Sequence, residues 1–268
     1  MSDEGEDQHI WQTSVSEWPQ AIRDLCLSIS EIDVVPADAA LMVLLSAGER
    51  GEARARRLAF SDEFRSDLDA ILNRYHDGAH IRLNLCSFKR GSHAPKIQDA
   101  AGFEVILGRQ NYRVYSVLKA TLDRHEDIQL FAFPWRYIPP WSEFRMFIRD
   151  RRVIGVSQYH HQSGFPEISA NEHAIKASLS DFCSDLLNAL HMETVVADVF
   201  VESQQNGRFS TTLIELNPFI QRTDPCLYTW KNGGDFDGGF RYYEAPGHPH
   251  AVLTGRQQLI DDPWRLPS

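Results

Sequence analysis

Cysteine is scarce in this 268-residue chain, with four in all and none in a C-x-x-C spacing. Cys26, Cys86, Cys183 and Cys226 lie far apart and read as reduced core residues rather than as a disulfide frame or a zinc site. No apolar run reaches the roughly 18 residues that a membrane-spanning helix needs. The opening MSDEGEDQHIW lacks the basic and apolar regions of a secretory signal, so a cytoplasmic protein without membrane contact is expected. Positive charge is short as well: 27 Lys and Arg stand against 37 Asp and Glu, a net charge of -10. That balance argues against non-specific nucleic-acid binding, because the phosphate backbone would be repelled by most of the surface. A local cationic pocket for a small phosphate ligand is still compatible with it. Internal repeats and low-complexity segments are absent from the sequence.

At 43% hydrophobic residues the chain has material for one large or two modest domains. Residues 1–9 read as a mobile acidic tail. The spacing of Trp18, Ile22, Leu25, Cys26 and Ile29 predicts an amphipathic helix, and further helices are expected over 37–45, 63–75, 112–124 and 171–191. HIRLNL alternates as a strand before the basic loop FKRGSHAPK, and IQLFAFPW is an apolar run of strand length. EFRMFIRD and RRVIGVSQYH form one expected hairpin, VVADVFV and FSTTLIEL a second. This order suits an α+β protein with antiparallel sheets better than a doubly wound parallel one. The division expected is an N-terminal lobe over 10–130, with helices, a strand and the basic loop, and a C-terminal lobe over 131–268.

The stretch TTLIELNPFIQ carries the first chemical signal. Glu215 and Asn217 share one face of its strand because side chains alternate with period two. Asn206-Gly207 is the dipeptide that best suits a two-residue type I′ turn, and pairing outward from it sets Asp198 opposite Glu215 and Val196 opposite Asn217. Two facing carboxylates repel unless a cation lies between them. Oxygen donors without thiolate or imidazole suit Mg²⁺, which takes one or two carboxylates and leaves its other positions to water and phosphate. The competing readings are a frayed, solvent-facing hairpin end and a salt bridge to a nearby Arg. Arg82, Lys89, Arg90 and Lys96 supply cations around the first strand, and Arg145 stands on one face of a strand whose other face, Phe144, Met146 and Ile148, is core.

Together EFRMFIRDRRVIGVSQYH, ADVFV and LIELNPFIQRTDPCLYTW resemble the cell division cycle protein 123 family, in order and at similar spacing from Gln129 to Trp230. That family shows E-F-R-x-F, I-G-I-S-Q and D-x-Y/F strands, then I-D-F-N-P-F before L-x-x-W. Weaker similarity runs back through RLNLCSFK to Trp18. The resemblance implies an ATP-grasp fold, two α+β lobes enclosing a nucleotide site. It places Mg²⁺ on Asp198, Glu215 and Asn217, nucleotide or phosphate contact on Arg145 as the candidate catalytic residue, a basic contact on Arg82, and the adenine-side linker on Phe131, Ala132, Phe133 and Trp135. Glu215 stands where the family usually has Asp. The lysine of the family's K-S-S-D segment is offset by one at Arg109, and Lys89 is the expected substitute. The family's long acidic C-terminal tail has no counterpart.

Eukaryotic members are assembly factors that bind Mg-ATP and help join the gamma subunit of translation initiation factor 2 to its partners. An assembly role on such a partner is therefore the expected function. The alternative is an ATP-dependent carboxylate–amine ligase working through an acyl phosphate. Arg222, Asp224, His160 and His161 would then be candidates for fixing the acceptor, although the two histidines read as surface residues.

Overall fold

The structure is a computed structural model, and it describes residues 3–48, 58–89, 94–109 and 111–243. The chain divides into two compact units. One comprises Ser14–Ser16 and Ser28–Arg136; the other comprises Met1–Thr13, Glu17–Leu27 and Tyr137–Ser268. They are called the N-terminal and C-terminal units below. Both are α+β, as the element order predicts.

In the N-terminal unit a three-stranded antiparallel sheet runs in the order β1 (Ser30–Asp33), β3 (Gln129–Pro134), β2 (Ala79–Leu83). Helices α3 (Pro36–Ser46), α4 (Asp62–Leu72), α5 (Ala100–Gly108) and α6 (Tyr112–Asp123) supply Met42, Phe64, Leu68, Phe103 and Leu118 to one core with Ile32, Ile81 and Leu130 of the sheet. Local chemistry sets where these helices begin. Ser61 accepts from the Phe64 N–H at 3.1 Å, Asp99 from Gly102 at 2.6 Å and Asn111 from Val114 at 3.3 Å, each satisfying a first-turn donor that has no partner within the helix. Asp38 is buried, and it accepts from both the backbone N–H and the hydroxyl of the Ser61 cap. Strand β1 and helix α5 carry too little periodicity to stand out in the sequence.

The C-terminal unit holds a five-stranded sheet in the order β7-β6-β4-β5-β8, with β4 Glu143–Arg149, β5 Arg152–Gln158, β6 Val195–Ser203, β7 Phe209–Asn217 and β8 Phe240–Arg241. All neighbours are antiparallel except β5 and β8. The long helix α7 (Pro166–Ala189) packs on β6 and β7, where the hydroxyls of Ser178 and Thr211 bond at 2.7 Å. Its Lys176 sits 5.5 Å over the Phe240 ring, which in turn lies 5.4 Å from Phe144. The other face is covered by an aromatic cluster, Phe147, Phe219, Tyr228, Trp230 and Phe236, packed on Val196. Gly155 of β5 admits that cluster: a Cβ there would lie 2.6 Å from the Tyr228 ring.

Several local expectations are corrected. The acidic start is helical, α1 (Asp3–Gln12), and its His9 accepts from the Phe219 N–H at 3.0 Å. The helix expected from Trp18 is only α2, Gln20–Arg23. Beyond it, the Leu25 carbonyl accepts from Leu213 N–H at 2.9 Å and Cys26 bridges Leu213 in parallel, so these residues extend the sheet edge instead of a helical face. For that reason residues 17–27 belong to the C-terminal unit, and the boundary between units falls at 136/137 rather than 130/131. Arg90 and part of the basic loop lie outside the described residues. No helix among the described residues is long and apolar enough to cross a membrane.

Candidate functional site

One polar row crosses the whole C-terminal sheet. In register, Arg241 of β8 pairs with Ser157 of β5, Ser157 with Arg145 of β4, Arg145 with Asp198 of β6, and Asp198 with Glu215 of β7. All five are buried. The adjacent row, Phe240, Val156, Met146, Ala197 and Leu216, is apolar and points to the opposite face because strand side chains alternate. The expectation that Asp198 faces Glu215, with Asn217 on the same face opposite Val196, agrees with this register.

It holds through two offsetting departures. The loop is not a two-residue type I′ turn. Gln204 N–H bonds the Arg208 carbonyl at 2.7 Å and Gly207 N–H bonds the Gln204 carbonyl at 2.9 Å, leaving a three-residue loop, Gln205-Asn206-Gly207, with only Gly207 left-handed at φ 77°. That loop shifts the pairing by one residue. A bulge between Asp198 and Val199 shifts it back, so that Val199 pairs with Leu213 while Asp198 still pairs with Glu215.

The cation beside Asp198 is Arg145. Its Nε and Nη2 donate to the two carboxylate oxygens of Asp198, both at 2.7 Å, and its Nη1 donates to the Asp224 carbonyl at 2.7 Å. The guanidinium also lies 4.9 Å over the Tyr159 ring. Asn217 Nδ2 donates to Asp198 Oδ2 at 2.9 Å. Burial pushes the Asp198 carboxyl up to about 6 against the pull of Arg145, with Glu215 and Glu143 adding to the rise. Burial opposes the charge on Arg145 too, yet Asp198 holds its pKa well above the ordinary value. In donor chemistry Asp198, Glu215 and Asn217 fit a hard cation. Both oxygens of Asp198 are already shared with Arg145, so a cation reaching Asp198 would take over one of those bonds. The salt-bridge alternative raised from the sequence is thus present in the structure.

The remaining expected residues lie in the N-terminal unit. Arg82 is buried in β2, where its Nε donates to the Leu83 carbonyl at 3.3 Å, and Lys89 is half-buried in the loop beyond. Phe131, Ala132 and Phe133 are buried in β3. The Trp135 Nε1–H donates to the Ala94 carbonyl at 3.3 Å, and Lys96 lies 5.2 Å over its ring.

Comparison with known proteins bears on the same segments. The D123 family model matches residues 111–235. A protein of Eremothecium gossypii named cell division cycle protein 123 is 27% identical over 177 residues, 56% of this chain and 49% of its own. Over that segment the chain is similar to the D123, or cell division cycle protein 123, family. A Xenopus laevis protein named translation initiation factor eIF2 assembly protein is 33% identical over 104 residues, 38% of this chain and 30% of that protein. The matches thus span half or less of those relatives' own lengths. The solved structure of Cdc123 from Schizosaccharomyces pombe superposes with a TM-score of 0.67 at 19% identity, covering 83% of this chain and 90% of that one, which shows a shared fold. The D123 match includes Phe131 to Trp135, Arg145, Asp198, Glu215 and Asn217, and it leaves out Arg82 and Lys89.

Sequence reasoning missed how tightly the D123 segment's own loops are tied to the polar row. Ser157 Oγ accepts from the Leu227 N–H at 3.2 Å, and Arg241 donates to Leu227 O, to both an oxygen of the Asp235 side chain and its carbonyl, and to Asp237, while lying 3.9 Å over the Tyr228 ring. The DFDGGF segment is therefore a loop clamped on Arg241. Nothing in the linear spacing signals this, because the partner strand β8 is only two residues long.

Proposed function

We propose that this chain is a cytoplasmic, Mg-ATP-binding assembly factor that acts on a protein partner of the translation initiation factor 2 gamma type. The observation that carries the reading is similarity to proteins named for that assembly task, together with a D123 match over the segment that sets three oxygen donors on one sheet face. In this reading Asp198, Glu215 and Asn217 hold Mg²⁺, and Arg145, two of whose donors already grip a carboxylate, turns donors toward phosphate. Bound Mg²⁺ would neutralise phosphate charge. Arg82 and Lys89 are the proposed further phosphate contacts, and Phe131 to Trp135 the proposed adenine side.

The test is calorimetric titration and thermal melting with ATP, with and without Mg²⁺. Ligand at a hundred times its Kd should stabilise the native state by about 2.7 kcal/mol. Glu215→Ala should abolish that gain. Unchanged melting of the wild type at millimolar Mg-ATP overturns the nucleotide site. Retention of a gamma-type subunit in a pull-down supports the assembly role, whereas rapid ADP release stimulated by a small amine acceptor would identify a ligase instead.

A further inference from the structure

Two loops meet beside the polar row, and the groups they bring together are chemically unlike the oxygen donors of Asp198, Glu215 and Asn217. A ring nitrogen of His161, a carboxylate oxygen of Asp224 and the Sγ of Cys226 all lie within 4.8 Å of one another. We propose that His161, Asp224 and Cys226 form a binding site for a divalent transition-metal ion of the zinc type. The site is separate from the magnesium reading and does not depend on it.

The donor set carries the choice of metal. One imidazole, one carboxylate and one thiolate are the ligand types of Zn²⁺ and its borderline neighbours, whereas Mg²⁺ avoids sulfur. Metal–donor lengths of about 2.0–2.3 Å put tetrahedral donors roughly 3.5 Å apart, so the three groups need close by only ~1 Å around an ion. Three protein ligands leave a fourth position for water or a partner's donor.

The loops are held in place for this. The Arg145 Nη1–H fixes the Asp224 carbonyl at 2.7 Å, and the Cys226 N–H donates to Asp224 Oδ1 at 2.8 Å, which orients the carboxylate. Cys226 itself has a φ of 54°, a left-handed conformation costly for a residue with a side chain and kept by the surrounding bonds. On the other loop, the His161 N–H donates to the Tyr159 carbonyl at 2.8 Å, and Nδ1 lies 3.1 Å from the same oxygen. Donation from Nδ1–H leaves the lone pair on Nε2, the arrangement that metal-binding histidines commonly show. Burial pushes the Cys226 thiol up to about 12 against the pull of Arg145, so the thiol keeps its proton until a metal displaces it. Binding converts the Cys226 thiol to a metal thiolate and releases its proton to solvent.

This revises the sequence reading of Cys226 as a plain core residue and of His161 as a surface one. The test uses the full chain, stripped with a chelator and titrated with Co²⁺ in the absence of nucleotide. The expected result is one equivalent bound with a thiolate-to-cobalt charge-transfer band, displaced by Zn²⁺ but not by excess Mg²⁺. Cys226→Ser should abolish the band and Cys26→Ser should leave it. His161→Ala, in a half-exposed loop where folding is not at stake, should weaken binding at least about tenfold. Absence of the band in the wild type, or a band that survives Cys226→Ser, overturns the proposal.

Discussion

Arg145 and Arg241 stand in the same polar row, two strands apart, and each grips aspartate, yet their surroundings differ. The Arg145–Asp198 pair is closed off, with side-chain exposures of 6% and 1%. Arg241 is 10% exposed, but its partners Asp235 and Asp237 are 46% and 42% exposed. Burial raises the Asp198 pKa despite the arginine. At Asp235 desolvation is again the largest single effect, but the Arg241 hydrogen bond, the Thr229 N–H and the Arg241 charge together outweigh it, and the pKa is lowered. The same ion pair thus has opposite proton linkage at the centre and at the edge of one sheet. A central pair of this kind is poorly explained as a device for stability, since desolvation offsets much of its Coulomb gain. It suits a site kept ready to exchange one charged partner for another.

The largest effect should come from breaking the central pair. Asp198→Ala leaves a buried, uncompensated guanidinium and should cost roughly 3–5 kcal/mol in urea unfolding. A loss no larger than that of the edge variant would remove the contrast drawn here. Arg241→Ala should cost roughly 1–2 kcal/mol, from partly exposed ion pairs and one stacking contact, and should loosen the 227–237 loop to proteolysis.

The smallest and most diagnostic effect is on pH dependence. A raised native pKa means that the folded state takes up its proton first, so the Asp198 contribution makes stability fall as pH rises from the ordinary aspartate range, about 4, to about 6. Asp198→Asn should flatten that slope. Asp235 has the opposite sign: its contribution is present above the ordinary aspartate pKa and is lost as pH falls through the lowered native value. Arg241→Ala should remove that acid-side loss while leaving the slope toward pH 6 intact. Equal slopes in wild type and Asp198→Asn would show that Asp198 does not titrate in this window.

Much of the C-terminal sheet was legible in advance. Strands β4 to β7 alternate clearly, and the shared face of Glu215 and Asn217 follows from period two alone. The pairing of Asp198 with Glu215 was also readable, although the turn type assumed for it was not the one formed. A type I′ geometry occurs instead at Asp150 and Arg151, both with positive φ, at 52° and 56°. Arg151 tolerates it because its N–H donates to Glu193 O at 2.8 Å and its guanidinium caps the Leu187 and Leu190 carbonyls at the end of α7. Such contacts span some forty positions of sequence and leave no local trace. A salt bridge to a nearby Arg was one of the readings the sequence left open, but which arginine makes it was not legible, since β5 and α7 separate β4 from β6.

By itself the sequence determined that the segments of β2 to β7 are strands, which of their faces are apolar and where the acid and amide of β7 point, because those depend on neighbours two to four positions away. Only the tertiary structure decided which cation meets Asp198, how a bulge restores its register, and that His161 and Cys226 come together around Asp224. Those outcomes depend on pairing between strands and loops far apart in the chain, where burial and satisfied hydrogen bonds, rather than local preference, select the arrangement.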